Sequence, residues 1–175
     1  MLMLACAAPP KSGKAEVGRD NTGKGMLLTS TAFNDGELIP DRYSGYGDNV
    51  SPDLSWTQVP EGVRSFVLIC RDPDAPGGTF YHWVVFTMPD TLRQLPEGLG
   101  HAAALRFGGT QGMNSFRKVG YDGPKPPTGT HRYYFDLYAI DAAWMLDQTT
   151  TAGQMLERMK GHVLAKASLM GKYTR

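Results

Sequence analysis

Two histidines, His82 and His131, and two carboxylates, Asp72 and Asp74, fall in three short segments that proline and glycine punctuate: Asp72-Pro73-Asp74-Ala75-Pro76, Tyr81-His82-Trp83, and Gly123-Pro124-Lys125-Pro126-Pro127-Thr128-Gly129-Thr130-His131-Arg132-Tyr133. Proline fixes its own φ near about −65° and drives the preceding residue into extended conformations, so Asp72 and Ala75 are held out of helix. The four side chains are predicted to converge on a small polar pocket. Two imidazoles, with loop N–H groups and the Tyr133 hydroxyl, supply donors for a phosphate or carboxylate. Asp72 then acts as acceptor for an imidazole N–H, since a carboxylate facing the anion would repel it. Imidazole ordinarily titrates near ~6.5, so phosphate affinity is expected to rise as pH falls from about 8 to 6.

Other chemistries are open to the same residues. His82, His131, Asp72 and Asp74 are ligand types of a His₂-carboxylate zinc or iron site. Nothing in their spacing fixes ligand distances, and neither a metal nor another cofactor is expected. A hydrolase would use a histidine as general base, with Ser115 and Thr130 as the nearest hydroxyl nucleophiles. The chain has no Gly-x-Ser-x-Gly elbow, no His-Glu-x-x-His and no Cys-x-x-Cys. Gly18-Arg19-Asp20-Asn21-Thr22-Gly23-Lys24 imitates the first part of a phosphate-binding loop. Gly25 stands where that loop needs Ser or Thr and no strand precedes it, so the match is discarded. Gly108-Gly109-Thr110-Gln111-Gly112 lacks strand–helix context and reads as a plain loop.

The elements that must position these groups are mostly strands. Met26 to Phe33 and Leu54 to Trp56 have strand composition, and turns follow at Asn34-Asp35-Gly36 and Gly45 to Asn49. Ser65 to Arg71 is an unbroken apolar run, expected at a sheet centre covered on both faces, and Phe80 to Met88 repeats it. His131 to Asp141 alternates with period two, placing His131, Tyr133, Phe135, Leu137 and Ala139 on one face and Arg132, Tyr134, Asp136 and Tyr138 on the other. Arg132 is thereby assigned a structural role, pairing with a carboxylate. One helix is predicted from the capping box Thr151-Ala152-Gly153-Gln154, its stripe running through Met155, Leu156, Met159, Val163, Ala167 and Met170. The basic residues around it read as a solvated face.

Composition bounds the rest. At 175 residues a single domain can bury its own core without metal or disulfides. Eighteen Lys and Arg against 17 Asp and Glu imply no general attraction to nucleic acid or to anionic membrane. No apolar run approaches the ~20 residues of a transmembrane helix. Cys70 reads as a small buried residue. Met1-Leu2-Met3-Leu4-Ala5-Cys6 loosely matches a bacterial lipobox. Residues 1–25 are therefore read as a flexible arm or lipoprotein tether, with 26–175 as the folded domain. A lipid anchor at Cys6 would place the protein in a bacterial cell envelope; without one the cytoplasm is expected.

Asp72-Pro73-Asp74-Ala75-Pro76, Tyr81-His82-Trp83 and Gly120-Tyr121-Asp122-Gly123-Pro124-Lys125-Pro126-Pro127 running into Gly129-Thr130-His131-Arg132-Tyr133 together resemble the phosphatidylethanolamine-binding protein family. The prokaryotic Raf kinase inhibitor-like branch is the most similar. Asn49-Val50-Ser51-Pro52-Asp53-Leu54-Ser55-Trp56 and Ala167-Ser168-Leu169-Met170-Gly171 extend the resemblance over roughly residues 26 to 175. It implies a mainly β fold, a β-sandwich of two antiparallel sheets with one or two peripheral helices, a C-terminal helix among them near an anion pocket. By motif it assigns Asp72, Asp74, His82, His131 and Tyr133 to that pocket and Pro127 to its rim. The chain departs from the eukaryotic pattern, with only three residues between Pro127 and His131 and one histidine before Trp83. The expected function is a non-enzymatic binding module for a phosphorylated or other small anionic group, with regulation of a partner protein. An inhibitor of a protease or kinase and a hydrolase are the alternatives.

Overall fold

The computed structural model describes residues 25–175. The expected N-terminal arm, the lipid anchor expected at Cys6 and the glycine-containing stretch 18–24 lie outside the described residues. Two antiparallel sheets build the domain. The smaller has strand order β1-β2-β5, from β1 (Leu27–Thr29), β2 (Leu54–Thr57) and β5 (Gln94–Leu95). The larger has order β6-β4-β3-β7-β8, from β3 (Ser65–Asp72), β4 (Phe80–Pro89), β6 (Thr110–Gln111), β7 (Thr130–Ile140) and β8 (Val163–Thr174). The apolar run of β3 sits at the centre of the larger sheet and is buried on both faces, as such runs require.

The inner face of the larger sheet packs Phe66, Leu68, Cys70, Trp83, Val85, Phe135 and Leu137 against Leu28, Leu54, Trp56 and Leu95 of the smaller. Its outer face carries Val67, Ile69, Val84 and Phe86 against α1 (Ala152–Arg158), through Ala152, Met155 and Met159. Period-two alternation in β7 holds: His131, Tyr133, Phe135, Leu137 and Ala139 are buried, while Arg132 is exposed.

The capping box at Thr151 and Gln154 starts α1, but the helix does not extend to Met170. It ends at Arg158, and Gly161 at φ +81° turns the chain into β8. Ala165, Ala167, Leu169, Gly171 and Tyr173 recur every second residue and pair with β7 from Ala139 back to His131. The apolar residues of this stretch satisfy both periods. An open β7 edge, which offers a row of backbone hydrogen bonds, selects the strand.

Candidate functional site

Asp72 ends the central strand β3, and the first residues of β4 and β7 flank it there. The β3–β4 ladder pairs Cys70 with Trp83 and then Arg71 with Tyr81, leaving His82 as an extra residue. This β-bulge, a device that re-aims one side chain, brings the His82 ring 5.2 Å from the ring of Tyr133, edge to face. Tyr133 comes from β7, two residues beyond His131, so alternation puts both on the inner face. Four of the sequence-assigned residues, Asp72, His82, His131 and Tyr133, thus meet at one end of the sheet, all buried.

The hydrogen bonds fix the roles of the ring nitrogens. His131 Nδ1 lies 2.7 Å from Asp72 Oδ2, and a carboxylate only accepts, so Nδ1 carries the proton. The other Asp72 oxygen accepts from the Asp74 backbone N–H at 2.8 Å. His82 Nδ1 lies 2.7 Å from the Asp122 carbonyl oxygen and is likewise protonated there. Burial lowers the His82 pKa, a pull only partly opposed by the Asp122 carbonyl and the Asp72 charge. The neutral ring therefore presents Nε2 as an acceptor, which corrects the expectation that both imidazoles donate. The Tyr133 hydroxyl is buried near the Asp72 carboxylate and the Lys125 backbone, but with neither in full hydrogen-bond geometry. Burial, and after it the Asp72 carboxylate, raises its pKa far above the ordinary phenol value.

Asp74 and Pro127 are placed differently. Asp74 is engaged by Arg132, with Nε to Oδ2 at 2.9 Å, Nη2 to Oδ1 at 2.6 Å and the Arg132 backbone N–H at 2.9 Å. That fork drops the Asp74 pKa to about 2 and gives Arg132 the carboxylate partner read from strand alternation. Only the backbone of Asp74 serves the histidine cluster. Pro127 is exposed in the segment before β7. Ser115 Oγ accepts from the Tyr81 backbone N–H at 3.0 Å, and Thr130 Oγ1 pairs with Thr174 Oγ1 at 2.8 Å across the strands.

Several site residues escaped sequence reasoning. Asp122 is buried, its carboxylate accepting from Asn114 Nδ2 at 2.8 Å and Asn49 Nδ2 at 3.1 Å, with Lys118 Nζ 3.5 Å away. Asn49, at φ +56°, also accepts from the Gly123 N–H at 2.7 Å. Its one sequence signal is an Asp-Asn turn, where left-handed backbone is tolerated. Phe80 and Phe116 wall His82, with ring centroids 5.1 and 5.6 Å away. Phe116 belongs to the loop that Asn114 Oδ1 ties down by accepting from the N–H groups of Phe116 and Lys118. Nothing local in the sequence announces these partners, because each contact is made across loops.

Among the described residues, no group of three His, Cys, Asp or Glu side chains is placed to hold a metal ion, and no helix is long and apolar enough to cross a membrane. A cleft of about 840 Å³, lined by Met145, Asp147, Thr150, Gln154 and Arg158, lies beside α1 and shares no residue with the histidine cluster.

A two-sheet β-sandwich with a buried His–carboxylate cluster at the end of its central strands defines the class. The family description "Phosphatidylethanolamine-binding protein" matches residues 29–174. The chain belongs to the phosphatidylethanolamine-binding protein family. It is 46% identical over 150 residues to a UPF0098 protein of Methanothermobacter thermautotrophicus, covering 86% of this chain and 99% of that one. It is 40% identical over 158 residues to YbhB of Escherichia coli, covering 85% and 100%. Among solved structures it is similar to CT736, a family homologue from Chlamydia trachomatis, with a TM-score of 0.78, 41% identity and coverage of 86% and 98%. YbcL of E. coli, a member of the same family, gives 0.82 at 30% identity, with coverage of 87% and 99%.

Proposed function

We propose that this protein is a binding module, not an enzyme, and that its cluster takes a phosphorylated or other small anionic group of the phospholipid head-group kind, occupancy regulating a partner protein. The observation that carries the reading is the buried Tyr133 hydroxyl without a partner beside the Asp72–His131 pair. Burying a hydroxyl unsatisfied costs about 1–3 kcal/mol, and an anionic oxygen supplies the missing acceptor. With Nδ1 of His131 committed to Asp72, Nε2 is the ring nitrogen left to face an anion, and it donates to one when it carries a proton. His82 Nε2, an acceptor, suits a P–OH or other donor on the same ligand. The rings of Phe80 and Phe116 beside His82 lower the local dielectric and strengthen these contacts. What favours binding over hydrolysis is the engagement of Ser115 and Thr130 in backbone and cross-strand pairing.

The test is an NMR titration of the full chain with phosphate and with phosphoethanolamine, following the imidazole signals of His82 and His131 at pH 6 and pH 8. Saturable shifts of both rings, with tighter binding at pH 6, are expected. Silence of both rings at millimolar ligand overturns the reading.

A further inference from the structure

The ladder pairs His131 directly with Tyr173, and directly opposed residues of an antiparallel pair share a sheet face. Tyr173 is therefore the immediate neighbour of the anion cluster. Its ring stacks on Tyr46, with centroids 6.3 Å apart and planes 21° from parallel. Two cations lie against the Tyr46 ring: Arg175 Cζ is 4.4 Å and Lys125 Nζ 5.6 Å from its centroid. The shelf is tied down. The Tyr46 hydroxyl donates to the Pro126 carbonyl at 2.9 Å and accepts from Arg175 Nη1 at 2.5 Å. Arg175 and Gly129 exchange backbone hydrogen bonds at 3.0 and 3.2 Å, just before His131 enters β7.

Charge decides what this shelf takes. Lys125 and Arg175 are both exposed and form no ion pair among the described residues. The Asp41 carboxylate faces the far end of Tyr173 and accepts from the hydroxyls of Tyr173 and Ser44, at 2.5 and 3.2 Å. Arg132 and Lys172 alternate to the opposite sheet face, and Arg132 is taken by Asp74. Two unpaired cations on a fixed aromatic platform, one residue pair away from an anion cluster, form a second anion subsite. An exposed cation contributes modestly on its own, more when two act on one group.

Building on the proposed anion binding, we infer that the ligand carries a second negative group, set several bonds from the one held at His131 and received by Lys125 and Arg175. The shelf repels an ammonium, so a phosphoethanolamine-like head group engages the His131 cluster alone, whereas a ligand with a second phosphate engages both.

The experiment is calorimetric titration of the full chain at low ionic strength with phosphate, tripolyphosphate and phosphoethanolamine. Wild type, Lys125→Ala/Arg175→Gln and the control Lys160→Ala, whose cation lies just past α1 and pairs with Glu157, are compared. Tripolyphosphate is expected to bind about tenfold more tightly than phosphate, with phosphoethanolamine weakest. The tripolyphosphate-to-phosphate ratio should collapse towards one in the double variant and persist in the control. A ratio unchanged in Lys125→Ala/Arg175→Gln, or phosphoethanolamine binding as tightly as tripolyphosphate, overturns the inference while leaving phosphate binding intact. No binding of any of the three overturns both it and the reading beneath it.

Discussion

His82 and Trp83 are consecutive residues of one strand and yet face the same side of the sheet, His82 against Tyr133 and Trp83 within the core between the two sheets. Strict alternation from Trp83 and Val85 would send His82 outward with Val84. The bulge between the Cys70–Trp83 and Arg71–Tyr81 pairs reverses this, and both rings become buried. The histidine cluster depends on that one irregularity, because without it β4 contributes no imidazole to the end of β3.

Tyr133→Phe separates stability from binding. Removing a buried hydroxyl that lacks a partner should leave stability unchanged or raise it by up to about 1 kcal/mol. Phosphate affinity should fall about tenfold, as expected for one lost hydrogen bond to a charged acceptor. Urea unfolding and phosphate titration of the same preparation read both signs. A loss of stability would mean that the hydroxyl is satisfied within the fold.

The depressed His82 pKa makes stability depend on pH in a known direction. The unfolded ring titrates near ~6.5, so between that value and the lower folded one the unfolded chain binds more protons. Stability is therefore full above about pH 6.5 and declines as pH falls towards the folded value. His82→Asn keeps an N–H for the Asp122 carbonyl but cannot titrate, and its urea midpoint should drop less between pH 7.5 and pH 5 than that of wild type. Equal slopes would show that His82 protonates freely when folded.

Asp74 has the opposite sign. Its folded pKa is depressed to about 2 by Arg132, so the contribution is present above the unfolded value of 3.8 and disappears as pH falls to about 2. Asp74→Asn should be less stable than wild type at pH 7 and indistinguishable from it at pH 2. The pair is partly exposed, which keeps the difference at pH 7 small and salt-sensitive.

Gly123→Ala should impair stability and binding together. A Cβ there would lie 2.1 Å from the Tyr43 carbonyl oxygen, so backbone must move. The displaced strand of chain carries the Asp122 carbonyl that holds His82 and the N–H that Asn49 accepts. A cost of about 1–3 kcal/mol is expected, with weaker phosphate binding and a shifted His82 resonance. Unaltered His82 signals in the variant would contradict this coupling.

The sequence by itself determined what is local. Apolar run length marked β3 and β4, period-two alternation assigned the inner face of β7, and proline in the Asp72–Pro76 and Gly123–Tyr133 segments specified extended backbone around the polar residues. Arg132 was legible as a structural partner for a carboxylate because its face follows from alternation alone. Which carboxylate it takes was not: Asp74 and Arg132 are 58 residues apart, and only the folded chain commits Asp74 to that pair and leaves Asp72 for His131. The same holds for β8, whose residues suit helix or strand until the open edge of β7 offers its hydrogen bonds. Asp122, Asn114 and Asn49 became site residues through contacts across loops. Local pattern encodes element type and face; the choice among equivalent partners rests on packing at long sequence separation, and tertiary structure alone makes it.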